Sequence, residues 1–197
     1  MTKQYFTRSD RRSTRLREYD YSQCGIYFVT ICAYQRECLF GNIVEGIMEL
    51  NDRGRIVAKS WEWLFTQYEY LEMDSWVIMP NHFHGILTIR DNTPVRAVRD
   101  IWAIHESPLR DECHMRRPPP RKHKPLGRLI GAFKTVSTKE INLLRHTPGM
   151  PVWQRNYHDH VIRAERSLDL IREYIIHNPA RWELDRNHPR NINKLAL

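Results

Sequence analysis

No apolar run in this 197-residue chain approaches the roughly 18 residues that a membrane-spanning helix needs. The amino-terminal stretch is polar and basic and has no apolar core of the signal-peptide kind. The four cysteines, Cys24, Cys32, Cys38 and Cys113, include no Cys-x-x-Cys pair. Unpaired thiols in a reduced, cytoplasmic protein are the expectation, although Cys32 and Cys38, an even number apart, could share a strand face. Acidic residues are in deficit: 23 Asp and Glu stand against 31 Lys and Arg, a net charge of +8, and the isoelectric point is about 9.5. Such a balance speaks to partners rather than to fold. Arginines cluster at Arg8, Arg11, Arg12, Arg15 and Arg17, and again at Arg110, Arg116, Arg117 and Arg121. Their planar forks suit bidentate phosphate contacts, so nucleic acid is the favoured partner and a membrane is not. A hydrophobic fraction of 41% and this length fit one domain spanning residues 1–197.

What the chain does have is a pair of histidines inside an apolar stretch, Trp76 to Arg90. Trp76–Met79 and Ile86–Ile89 have strand length and composition. Side chains alternate along a strand, so His82 and His84 project from one face, with Phe83 and Gly85 on the other. Pro80 cannot donate to a ladder and belongs at a strand start, an edge or a bulge. Two imidazoles on one face make half of a metal site; the bland reading is two polar strand residues.

Residues 1–20 read as a basic arm. Gly25–Tyr34 is a buried first strand, Phe40-Gly41-Asn42 a turn, and Ile43–Leu50 a second, edge-type strand. Asn51 can cap a helix to about Tyr68, with Ile56, Val57, Trp61, Leu64 and Phe65 on its apolar stripe. Residues 91–125 form a Pro- and Arg-rich excursion, in which His105, Cys113, His114 and His123 are too irregularly spaced for a persuasive zinc site. Leu126–Arg145 is a helix whose charged side (Arg128, Lys134, Lys139 and Arg145) reads either as a solvated face or as a phosphate-contacting ridge. Residues 152–163 form a loop and a last strand with a second His-x-His, His158 and His160, taken as structural or DNA-facing. Glu165 and Ser167 open a final helix with Leu168, Ile171 and Ile175 on its buried stripe. Tyr174 and Asn178 lie one turn apart on it, and Pro179 limits it. Residues 180–197 read as an irregularly packed tail. Setting aside the second strand leaves β-α-β-β-α-β, an α+β, ferredoxin-like (split βαβ, RRM-like) antiparallel sheet. Its first and third core strands are central, which places the histidines mid-sheet with the final helix able to pack over them.

Three motifs in this order, Val77-Ile-Met-Pro-Asn-His-Phe-His-Gly-Ile, Val152-Trp-Gln-Arg-Asn-Tyr-His-Asp-His-Val-Ile-Arg and Glu173-Tyr-Ile-Ile-His-Asn-Pro, resemble the IS200-like or REP-associated tyrosine transposases. These belong to a group of single-strand nucleases built on a His-hydrophobic-His pair. The resemblance implies that His82 and His84 bind a metal, that Tyr174 is the nucleophile, and that Asn178 is a polar third ligand. It also implies a single-stranded, hairpin-bearing DNA substrate and a 5′-phosphotyrosine intermediate that permits rejoining. The chemistry suits these residue types. A phenol with a pKa near about 10 is a poor nucleophile at neutral pH. A divalent ion on two imidazoles and an amide oxygen, Mg²⁺ or Mn²⁺, would polarise the phosphate. Arg11, Arg12, Arg15, Arg128, Lys134, Lys139 and Arg155 are the expected DNA contacts. The protein could act as a monomer or homodimer, with Tyr174 serving its own subunit or a partner's. Two rivals stand beside this reading. One is a single-strand-binding module stacking bases on Tyr27, Phe28, Trp76 and Trp153. The other is a domesticated host nicking enzyme.

Overall fold

The computed structural model describes residues 19–91 and 123–192. Four strands, β1 (Gly25–Cys32), β4 (Leu71–Met79), β5 (His82–Ile89) and β6 (His158–Ile162), form one sheet in the order β4-β5-β1-β6. Every pairing is antiparallel. With helices α1 (Asp52–Gln67), α2 (Leu126–Leu144) and α3 (Glu165–His177), this is the split βαβ arrangement that the periodicity predicts. The two central strands are β5 and β1, so the histidines do sit mid-sheet.

Each face of the sheet has its own layer. Trp61 of α1 and Phe133 of α2 pack on Phe83, with ring centroids 4.7 and 5.4 Å away. Helices α1 and α2 therefore cover the Phe83 face. Gly85 shares that face, where a Cβ would come within 2.9 Å of both Phe83 and Trp61. Only glycine allows this approach. Asn51 caps α1 by accepting from the Gly54 amide at 3.0 Å, and Val57, Trp61 and Leu64 are buried as the stripe predicts, with Ile56 and Phe65 at its rim. On the opposite face α3 buries Leu168 and Ile175 against Ile86 and Ile162. An ion pair from Arg172 to Asp74, with bonds of 2.6 and 3.1 Å, pins α3 to the irregularity between Met73 and Trp76 of β4. That hydrogen bond holds the Asp74 carboxyl below its usual range.

Four expectations are corrected. The stretch read as one edge strand, residues 43–50, is a separate hairpin of β2 (Gly41–Val44) and β3 (Ile47–Leu50). Its turn falls at Glu45 and Gly46, both at positive φ (50° and 78°), as a tight hairpin requires. Gly41, read as a turn residue, begins β2; a Cβ there would lie 2.0 Å from the Glu49 carbonyl oxygen. Pro80 lies in the turn joining β4 to β5, and the bulge in β4 occurs earlier. Cys38 lies beyond the end of β1 and shares no strand with Cys32; Cys24, Cys32 and Cys38 are free thiols. Among the described residues no helix is long and apolar enough to cross a membrane.

Lys134 is not part of an exposed basic ridge. Its ammonium donates to the carbonyls of Gln154, Arg155 and Asn156 at 2.8, 3.4 and 3.0 Å and lies 5.6 Å from the Tyr157 ring centroid. Burial pushes its pKa down to about 8, and the three carbonyls favour the charged form against that. It clamps the segment leading into β6. Lys134→Met keeps the apolar stem and removes the charged donor. Unfolding in urea should then show a loss of about 1–3 kcal/mol; an unchanged midpoint would show the clamp to be idle.

Candidate metal centre and nucleophile

His82 and His84 face each other with their Nε2 atoms 3.0 Å apart, 0% and 2% exposed. A single asparagine sets the first ring. Asn81, fully buried, donates through Nδ2 to the carbonyls of Arg36 (3.1 Å) and Asn187 (2.7 Å). That orientation turns its Oδ1 to His82 Nδ1, at 2.8 Å. A carboxamide oxygen only accepts, so His82 carries its proton on Nδ1 and presents a bare lone pair on Nε2. Thr30 Oγ1 sits 2.8 Å from His84 Nδ1 and anchors the second ring. Such partners behind metal-binding imidazoles fix ring orientation and tautomer.

Burial keeps both rings neutral. It pulls the His82 pKa down to about 3, with help from the charges of Arg36 and Arg186. His84 lies well below its usual value through burial first and His82 second. Neutral imidazole is the form that binds metals.

The third group is one that sequence reasoning missed. Asp185 Oδ2 lies 3.7 Å from His82 Nε2, on a carboxylate only 5% exposed, and ligand atoms of His82, His84 and Asp185 all fall within 4.8 Å of one another. Asp185 follows a 3₁₀ helix, Pro179–Leu184, in what the sequence suggests is a loose tail. Instead Trp182 is buried, with its ring 6.0 Å from that of His82. Asn187 receives Asn81 at its carbonyl and Arg36 at its side chain. The signal available was a tryptophan in a polar stretch, enough to suggest packing but not where.

Tyr174 reaches the same place from α3. Its hydroxyl is 3.1 Å from His84 Nε2, and its ring stands edge-on to Phe28, 6.2 Å away. At 40% exposure it remains open to solvent. Burial raises the phenol pKa, as does the charge of Asp185, while Asn178 and Arg186 oppose them. Asn178, one turn on, is 3% exposed, and its Oδ1 is buried with no hydrogen-bond partner among the described residues. An orphaned carboxamide oxygen is costly, and a cation beside it would satisfy it. Two neutral imidazoles and the Asp185 carboxylate form a group that could hold a divalent ion.

The other candidates scatter. Arg155 is exposed just beyond the Ala33–Trp153 bridge that extends β1. Arg128 and Lys139 are exposed on α2, across the sheet from the histidines. Arg145 is turned inward to Asn142 and to the carbonyls of Met150 and Pro151. Arg11, Arg12 and Arg15 lie outside the described residues, as do His105, Cys113 and His114. Asp159 is buried on the face opposite His158 and His160. Of the base-stacking rival's platforms, Tyr27 and Trp153 are 0% and 6% exposed, whereas Phe28 and Trp76 are half-buried, with ring contacts to His84 and Phe83.

No protein-family model matches the chain. An uncharacterized protein of Haemophilus influenzae is 37% identical over 175 residues, covering 89% of this chain and 91% of that protein. The structure of a REP-associated tyrosine transposase bound to a REP hairpin superposes with a TM-score of 0.53 at 17% identity, covering 85% of this chain and 73% of that one. The chain thus belongs to one family with the Haemophilus influenzae protein, and its fold is that of a REP-associated tyrosine transposase.

Proposed function

We propose that the protein is a divalent-metal-dependent endonuclease and strand transferase acting on single-stranded, hairpin-bearing DNA, with Tyr174 as nucleophile. The observation that carries this reading is the Tyr174 hydroxyl 3.1 Å from Nε2 of a buried, neutral histidine pair. The hairpin comes from the solved structure of similar fold, which holds one. His82, His84, Asp185 and Asn178 would hold the ion. When bound, a divalent cation polarises the scissile phosphate and stabilises the departing oxygen. Tyr174 Oη forms a bond to phosphorus as its proton passes to solvent, to which the residue is open at 40% exposure, and the P–O3′ bond breaks as O3′ takes up a proton from solvent. The 3′ oxygen departs as a hydroxyl and the 5′ phosphate stays on the phenol. Attack by a 3′-OH on that ester reverses the step and rejoins a strand. Phe28 and His84 flank the ring of Tyr174 and hold it over the site. The free thiols suit a cytoplasmic protein, active as a monomer or homodimer.

The test is a gel assay of the purified protein with a labelled single strand carrying a hairpin, with and without Mn²⁺. A labelled band at the protein's mass that survives denaturation and requires the metal is the expected product. Release of a nick without any adduct would replace the tyrosine mechanism with metal-dependent hydrolysis.

Asp185 and Asn178 contribute separately to this site. Mn²⁺ titration followed by calorimetry should show Asp185→Asn and Asn178→Ala each weakening binding by roughly tenfold or more, the range seen even for outer partners of metal ligands. Asn178→Gln keeps a carboxamide oxygen and should retain part of the affinity. Wild-type affinity in Asn178→Ala would reduce that residue to a helix end.

A further inference from the structure

Two exposed histidines on β6 take no part in the chemistry above, and the strand register shows where they stand. His158 pairs with Thr30 and His160 with Phe28. Across the other side of β1, Thr30 pairs with His84 and Phe28 with Ile86. Residues directly opposite in an antiparallel ladder share a face. His158 and His160 therefore project from the same face as His82, His84 and Tyr174. Thr30, which anchors the His84 ring, lies between His84 and His158 in one row across three strands. Two interstrand spacings put that row's ends roughly 10 Å apart.

Cover on this strand is partial. Ile162 at its far end is buried with Leu168 of α3, whereas α3 leaves His158 and His160 exposed. Among the described residues β6 is an edge of the sheet, with no strand beside it on its outer side. Exposed Arg155 and Arg163 flank the strand in sequence, and His158 and His160 offer two flat rings with hydrogen-bonding nitrogens side by side on one face. Phe28, the cross-strand partner of His160, stands edge-on to the Tyr174 ring, and the net charge of +8 favours a polyanion. Imidazoles can donate to phosphate oxygens and stack on unpaired bases.

We propose that the His158–His160 strip is the track along which a single DNA strand lies as it enters the site at Tyr174. The track rests on the reading of the protein as a single-strand DNA enzyme, and it assigns the second His-x-His to substrate holding. A paired duplex shields its base faces and cannot stack on the strip, which selects for an unpaired strand.

The experiment is fluorescence anisotropy of the full chain in EDTA, with labelled dT20 and a labelled 20-base-pair duplex. The proteins are the wild type, His158→Ala/His160→Ala, the corresponding double Gln variant, and His146→Ala as an exposed control at the end of α2. Both residues are exposed, so the double variants should keep the wild-type circular dichroism and melting temperature; the Gln pair serves if the Ala pair does not fold. Tenfold or greater loss of dT20 affinity in the double variant, with His146→Ala unchanged, is the expected result. Binding within twofold of wild type overturns the track, as does wild type that fails to bind dT20. Equal losses for dT20 and the duplex overturn the single strand as occupant. The covalent-adduct assay on wild type separates the two claims: an adduct together with unaffected dT20 binding sinks the track alone, and no adduct sinks the enzymatic reading.

Discussion

Tyr174→Phe should abolish covalent capture of DNA while leaving the affinity for single strands within about twofold. The change deletes one oxygen. The ring stays edge-on to Phe28 and beside His84, so the packing of α3 on the sheet is preserved. What goes is the only atom of that side chain able to bond phosphorus. Strand cleavage and rejoining should both disappear, a fall of several orders of magnitude, because the covalent route has no partial version. Digestion of the wild-type adduct should yield the nucleotide on a peptide spanning residues 173–181, not on Tyr157. Tyr157 is held elsewhere, packed against the core cluster on the Phe83 side of the sheet. Normal cleavage by Tyr174→Phe would leave the buried histidine pair with a hydrolytic role and remove the tyrosine from the mechanism.

His82→Ala and His84→Ala should each reduce Mn²⁺ affinity by roughly 100-fold or more and eliminate metal-dependent cleavage. The two rings share one small volume, Nε2 to Nε2 at 3.0 Å, so neither can compensate for the other. Each is also braced from behind, His82 by Asn81 and His84 by Thr30, so the surviving ring stays in place and the loss reports the missing ligand. Both sites are buried, and a melting curve must accompany the titration, since emptied core positions commonly cost about 1–3 kcal/mol. Chelation of wild type should give the same loss of cleavage, restored by added Mn²⁺. Unchanged metal affinity and activity in both variants would make the pair an unusual but purely structural contact.

Much of this molecule is readable one element at a time. The alternation that puts His82 and His84 on one face is a property of any extended strand. The Asn51 cap needs only a side chain that can reach an amide three residues on. The apolar stripes of α1 and α3 record which side faces the sheet, and the order of elements restricts the chain to a split βαβ fold. Those features are short-range, and the residues that produce them are neighbours in the chain.

Tertiary structure decided the rest. Tyr174 and His84 meet across 90 residues and Asn81 meets Asn187 across 106; no periodicity encodes such pairs, and although the split βαβ order let the final helix lie over the histidines, only the family resemblance singled out Tyr174 on it. Asp185 was illegible because an exposed-looking acidic residue becomes a site residue only when the chain after α3 folds back under Trp182. Lys134 reads as a surface charge from helical spacing alone, and becomes a half-buried clamp because the carbonyls of residues 154–156 converge on its ammonium. The basic residues of α2 gave no hint of which side of the sheet they would occupy. That choice belongs to the packing of Phe133 and Trp61 on Phe83, where burying three aromatic rings together fixes the helix on the face away from the histidines.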